Sequence, residues 1–264
     1  MKRIFVFYLF FLPIWMNAQD INLNLTKEEA LEDIRFLKDA LEKSHPGMYR
    51  FTSEEVMEEA YSQTISAMTN TSLFEFYGEV SKLLSLINCG HTQAELSNST
   101  LDAYVEELLR IPFNVSFLES KMLVSKDFRT DSSIERGAEI VSIDGRKTED
   151  IVSELFARIN GDGFVETFKY EFIEWYFWLL YPLHFTETGL PQSYTIEYRK
   201  PFEETIHKVV VAGLSPISIE EKRAEEEQNS ELRSFTLEQD CAIMTIMSFS
   251  GGRFDNYYRF LKKS

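Results

Sequence analysis

The feature that most restricts how this chain can fold is a change of hydrophobic period near residue 110. Upstream of it, apolar residues recur every three or four positions. Leu31, Ile34, Leu37 and Leu41 form one series, and Met57, Tyr61, Ile65 and Met68 a second. Phe76, Val80, Leu83, Leu84 and Ile87 follow, then Leu101, Tyr104, Val105 and Leu108. Each series places its apolar side chains on one face, which predicts amphipathic helices. Two starts carry matched capping pairs, Thr26 with Glu29 and Ser72 with Glu75, in which hydroxyl and carboxylate satisfy first-turn amides. A further start falls near Thr52 or Ser53. The first helix is expected to stop at His45-Pro46-Gly47 and the third at Asn88-Cys89-Gly90. Residues 20–109 therefore read as a small helical bundle.

Downstream, the period falls towards two. Phe113, Val115 and Phe117 alternate with polar or small residues, and Met122-Leu123-Val124 is a short apolar run. Ile140-Val141-Ser142-Ile143 leads into Asp144-Gly145, a hairpin dipeptide. A helix is expected over 148–159, broken by Gly161-Asp162-Gly163. Another is expected over 164–183, where Phe164, Phe168, Phe172, Tyr176 and Leu180 recur every four residues. Such a stripe is expected to pack in a core rather than to line a ligand groove. Strands are expected near 194–198 and 206–211. The glutamate-rich stretch 214–234 reads as a linker or an exposed helix face. Cys241 to Met247 reads as a strand of the kind buried on both faces of a sheet, followed by a turn and a last helix. The fold class is α+β.

Charge narrows the partners. The 264 residues hold 27 Lys+Arg against 43 Asp+Glu, a net charge of −16, whereas phosphate-backbone binding needs clustered cations. Nucleic acid is excluded as a main partner, and anionic membrane surfaces are disfavoured. The N-terminus is basic at Met1-Lys2-Arg3, apolar from Ile4 to Trp15 apart from Pro13, and small at Ala18 before Gln19. That is the layout of a secretory signal over residues 1–18. The apolar run is short of the roughly 20 residues that span a bilayer, so no stable span is expected after cleavage. An uncleaved N-terminal anchor is the alternative. The mature chain is expected in the periplasm or outside the cell. Export permits a disulfide between Cys89 and Cys241, but the sequence does not establish that bridge, and buried free cysteine is the more common state.

Few motifs carry chemistry. No Ser is followed three residues later by Lys, and Ser250 has Ser248 where a nucleophile elbow has Gly. HExxH, phosphate-loop and calcium-loop patterns are missing. Cys89-Gly90-His91 offers two metal ligands with no second pair to complete a tetrahedral site, so neither metal nor cofactor is expected. Among the four histidines, His91 stands out, because a glycine beside it ends a helix and lets the ring project. An imidazole so placed suits general-base work. His45, before Pro46, reads as structural. His184 and His207 have no catalytic neighbours in sequence.

The order of these pieces resembles the tail-specific, or C-terminal-processing, protease family of tricorn-related serine peptidases. The matching features are His45-Pro46, Gly90-His91-Thr92, Ile111-Pro112-Phe113, the stretch from Gly137 to Gly145, and Ile243 to Phe249. The resemblance implies a PDZ-like module over 110–213, with the aromatic helix inserted in it, and a linker over 214–234. It further implies that 235–264 is the truncated start of a crotonase-like α/β catalytic domain. By the same resemblance His91 is the general base, the partner is a polypeptide substrate, and the nucleophilic Ser is none of the residues of this chain. The family pairs that Ser with Lys in one branch and with His in the other. Here Cys89 stands where Asp is common, and Gly90 where the tricorn-like branch has Ser. The expectation is the N-terminal part of an exported serine peptidase, inactive as these 264 residues alone. The alternative is a non-catalytic exported protein that binds a peptide ligand.

Overall fold

Thr26 is extended, its hydroxyl accepts from the Glu29 amide, and the Glu29 carboxylate accepts from the Thr26 amide at 2.9 Å. This reciprocal cap opens helix α1 (Lys27–Ser44) in the computed structural model, which describes residues 24–129, 134–186, 190–229, 233–238 and 241–246. The signal expected over 1–18 and the last helix expected after Gly252 lie outside the described residues. By contacts, the described chain divides into two compact units. One holds residues up to Tyr104 together with Val152–Ile173, and the other Val105–Ile151 together with the residues from Glu174 onward. The stretch 152–173 groups by contacts with the helices.

In the first unit β1 (Asn24–Leu25) precedes α1, and Ser53 caps α2 (Glu54–Ala67). β2 (Thr71–Ser72) pairs with β1, and Ser72 with Glu75 repeats the reciprocal cap at α3 (Leu73–Ser85). α4 (Asn98–Glu107) follows. The predicted apolar faces meet in one core of Ala30, Ile34, Met57, Tyr61, Phe76, Leu83, Leu84 and Ile87. Each large side chain buried there contributes about 1.5–3 kcal/mol.

The second unit is built on an antiparallel sheet. β3 (Phe113–Leu118) and β4 (Lys121–Asp127) are joined by Glu119-Ser120, both at positive φ, the turn whose twist suits a two-residue hairpin. Asp144-Gly145, also both at positive φ, joins β5 (Glu139–Ile143) to β6 (Arg146–Lys147) as the dipeptide predicts. The chain then runs through α5 (Thr148–Phe156) and α6 (Thr167–Phe185), of which residues 152–156 and 167–173 belong to the first unit, before β7 (Ser193–Arg199) and β8 (Ile206–Ala212). The sheet order is β3-β4-β5-β7-β8, with β6 on β5. Tyr194, Ile196 and Tyr198 of β7 are buried, and the intervening Glu197 reaches Ser142 and Lys208.

One expectation is corrected. The four-residue aromatic stripe does not form a core face. Phe164 precedes the helix and is 78% exposed, while Phe168 and Tyr176 are 42% and 40% exposed. A spacing of four overshoots the 3.6-residue turn, so the stripe winds round the helix instead of staying on one side. The buried positions of α6 are Ile173, Phe177, Leu180, Tyr181 and Leu183. Of the two readings of the glutamate-rich stretch, the helix is the one that forms, as α7 (Pro216–Asn229). After it, β9 (Arg233–Glu238) pairs antiparallel with β10 (Cys241–Ile246), so the strand expected from Cys241 is present with a partner that the sequence reading divided at Ser234.

Candidate functional site

The last turn of α3 decides where His91 sits. Ile87, fully buried, anchors the chain, and Asn88 then turns with φ of +53°. Asn is one of the few residues with a side chain that tolerates this region, because its short amide bonds locally. Here the Asn88 side-chain amide donates to the Leu86 carbonyl at 3.0 Å, and the Thr52 hydroxyl donates to the same carbonyl. The Thr92 amide closes a turn onto the Cys89 carbonyl at 3.0 Å. His91 is exposed at its tip and Cys89 is half-buried, packed against the helical core as a free thiol.

A second turn braces the first. The Ser85 hydroxyl, inside the unit, donates to the Ala157 carbonyl at 2.6 Å, and the Gly163 amide donates to the Asn88 carbonyl at 2.9 Å. Lys169 donates to the Phe156 carbonyl at 2.9 Å, and burial pulls its amine below the usual lysine range. Gly163 has φ of +65°, and a Cβ there would stand 3.4 Å from the Phe51 ring. These ties bring Asp162 to Gly90, whose amide donates to Asp162 Oδ1 at 2.8 Å. Gly90 is needed for space rather than for conformation. A Cβ there would meet Asp162 Oδ1, Cγ and Oδ2 at 3.2, 3.3 and 3.4 Å.

The result is a cluster that sequence spacing did not show. One donor atom each from Cys89, His91 and Asp162 lies within 4.8 Å of the others. The sequence contained Asp162 only as the middle of a helix-breaking Gly-Asp-Gly. The usable signal was that an acidic side chain between two glycines is held out from a tight turn.

His45 supports the site as a positioning residue. Its Nδ1 accepts from the Gly47 amide at 3.2 Å, which leaves Nε2 as the donor to Thr92 Oγ1, 2.9 Å away. The cap of α1 is thereby fastened to the residue next to His91. The other two histidines are engaged elsewhere. His207 Nε2 lies 3.1 Å from Glu203, and the His184 ring stands beside Phe185.

The sheet unit carries a different polar centre, at the β5–β6 turn. Tyr181 donates to the Ile143 carbonyl and to Asp144 Oδ2, both at 3.0 Å, and the Thr195 amide donates to Asp144 Oδ1 at 2.7 Å. Burial, then the Asp144 charge, raise the Tyr181 phenol above its ordinary range. A shallow pocket beside it is lined by Asp144, Arg146, Lys147, Asp150, Tyr181 and Phe185, with no Ser, Thr or Cys among its described lining residues. No described helix is long and apolar enough to cross a membrane.

No family model matches this chain, and no curated protein matches it. Solved structures do. The crystal structure of mature CPAF aligns with a TM-score of 0.49 at 16% identity, over 70% of this chain and 34% of that one. A serine-to-alanine mutant of CPAF aligns at 0.46 and 16%, with the same coverage. Mature CPAF complexed with lactacystin aligns at 0.48 and 15%, again over 70% and 34%. This chain therefore spans about a third of the length of those chains.

Proposed function

We propose that this chain is the N-terminal part of an exported serine peptidase of the tail-specific protease family, with His91 as its general base. The observation that carries the proposal is the preparation of His91. It is exposed at the tip of a turn fixed by Asn88, Thr92 and the Gly163 amide, so its ring is presented rather than consumed by packing. In the reaction, His91 accepts the proton of a serine hydroxyl as that oxygen attacks a peptide carbonyl, then returns it to the leaving amine. That serine is not identified among these residues. Substrate binding is proposed at the sheet of the PDZ-like module, where an extended peptide adds as a further strand. The outer side of β8 suits this role, since no described strand pairs with it and Ile206 and Val210 stand exposed along it.

The test is labelling of the full-length protein by a fluorophosphonate probe. Wild type should label at a serine, and His91→Ala should slow labelling by about 100-fold or more, the usual worth of a general base. Equal rates in the two proteins would remove the role given to His91. Saturable binding of extended peptides with no labelling at all would select the alternative, a non-catalytic exported peptide-binding protein.

A further inference from the structure

The Cys89–His91–Asp162 cluster has a chemistry that proton transfer does not use. A thiol, an imidazole and a carboxylate converge with donor atoms within 4.8 Å of one another. In a tetrahedral zinc site with bond lengths of about 2.0–2.3 Å, donor atoms stand roughly 3.3–3.7 Å apart, so closing the set needs about 1 Å of movement. His91 is exposed and can supply it by side-chain rotation. The carboxylate is also held ready. Asp162 Oδ1 accepts from the Gly90 amide at 2.8 Å, which keeps the carboxylate beside the turn with further lone pairs to offer a ligand. The missing side chain at Gly90 lets the Asp162 carboxylate come this close to the turn, since a Cβ there would stand 3.2 Å from Oδ1.

We infer that Cys89, His91 and Asp162 form a binding site for a thiophilic divalent cation, zinc above all, with a fourth position open to water or another ligand. The mixed sulfur, nitrogen and oxygen donors favour zinc over the hard cations magnesium and calcium. Binding displaces the Cys89 thiol proton, so the thiolate and the carboxylate together balance the two positive charges of the ion. The inference does not depend on the peptidase reading, because metal binding is measured without any substrate. If both hold, the two uses exclude each other at one nitrogen: an imidazole whose lone pair binds a metal cannot accept a proton through it.

The experiment is titration of the reduced, tag-free full chain with cobalt(II), a spectroscopic stand-in for zinc, followed by displacement with zinc. The expected result is a thiolate-to-cobalt charge-transfer band and the intense visible bands of a four-coordinate ion, both erased by zinc and untouched by magnesium. Cys89→Ser should abolish the charge-transfer band, and His91→Ala should weaken binding at least about tenfold. Gly90→Ala removes no donor yet crowds the carboxylate, and should also weaken binding. Cys241→Ser should leave the spectrum unchanged. Circular dichroism of each variant separates loss of the site from loss of the fold. A six-coordinate spectrum without the band, a band that follows Cys241 rather than Cys89, or equal affinity in wild type and a folded Cys89→Ser protein would overturn the inference.

Discussion

Two equally buried tyrosines differ in what their hydroxyls touch, and the same substitution at each should move stability in opposite directions. Tyr181 donates to the Ile143 carbonyl and to the Asp144 carboxylate, both at 3.0 Å. Tyr181→Phe takes the donor from a charged acceptor, which costs about 2 kcal/mol. At roughly 3 °C per kcal/mol for a chain of this size, the melting midpoint should fall by about 6 °C. Tyr61 is equally buried, but its hydroxyl has no hydrogen-bond partner among the described residues. Tyr61→Phe removes a desolvated group that gains nothing in return, and should raise stability by about 1 kcal/mol. The assay is thermal melting followed by circular dichroism, with each change read on the transition of the unit that carries it. A second reading comes from alkali. Burial, the leading cause, pushes the Tyr61 phenol up from 10.0 to about 12. A raised value means that the folded state holds its proton after the unfolded state has lost it. That contribution is complete below pH 10 and is lost as pH rises towards 12, so Tyr61→Phe should flatten the alkaline loss of stability. Two shifts of the same sign and size would refute the claim that hydroxyl partnering decides the outcome.

The caps and the glycine turn make two further predictions. Hydrogen bonds from the Ser72 amide and hydroxyl lower the pKa of the Glu75 carboxyl, so its contribution is present above the ordinary glutamate range and lost as pH falls through the lower folded value. Ser72→Ala should cost about 1 kcal/mol at neutral pH in urea melts, and Glu75→Gln should weaken the acid-side slope. Gly163→Ala forces a side chain into positive φ against the Phe51 ring, and should cost about 1–2 kcal/mol while loosening Asp162. Hydrogen exchange at the Gly90 amide, faster in the variant than in wild type, reads that loosening.

What the sequence made legible was local. Thr26 with Glu29 and Ser72 with Glu75 fix helix starts within four residues, and the structure keeps both pairs. Asp144-Gly145 was equally readable, since its two positive φ values are a property of the dipeptide and of the twist it joins. The misreadings were of environment. A chain of aromatic residues says that a helix forms but not which side is covered, and α6 buries Ile173, Phe177 and Tyr181 while leaving Phe168 and Tyr176 exposed. Glutamates 220 to 227 are compatible with helix and linker alike, and only the fold selects α7. The site was half legible. Cys89 and His91 stand two positions apart, but Asp162 reaches them through an amide contact made 72 residues along the chain, which no spacing rule encodes.

Strand β8 has a consequence for how the protein behaves at high concentration. An edge able to take up a foreign segment can as readily take up a second copy of itself, and its Ile206 and Val210 would reward the stacking. Lys208 sits between them, its ammonium 3.1 Å from Glu197 and still largely in water, so two such edges meet charge against charge. Like charge at Lys208 then opposes pairing of two such edges, and concentrated salt or lysine acetylation should raise self-association before the helices melt.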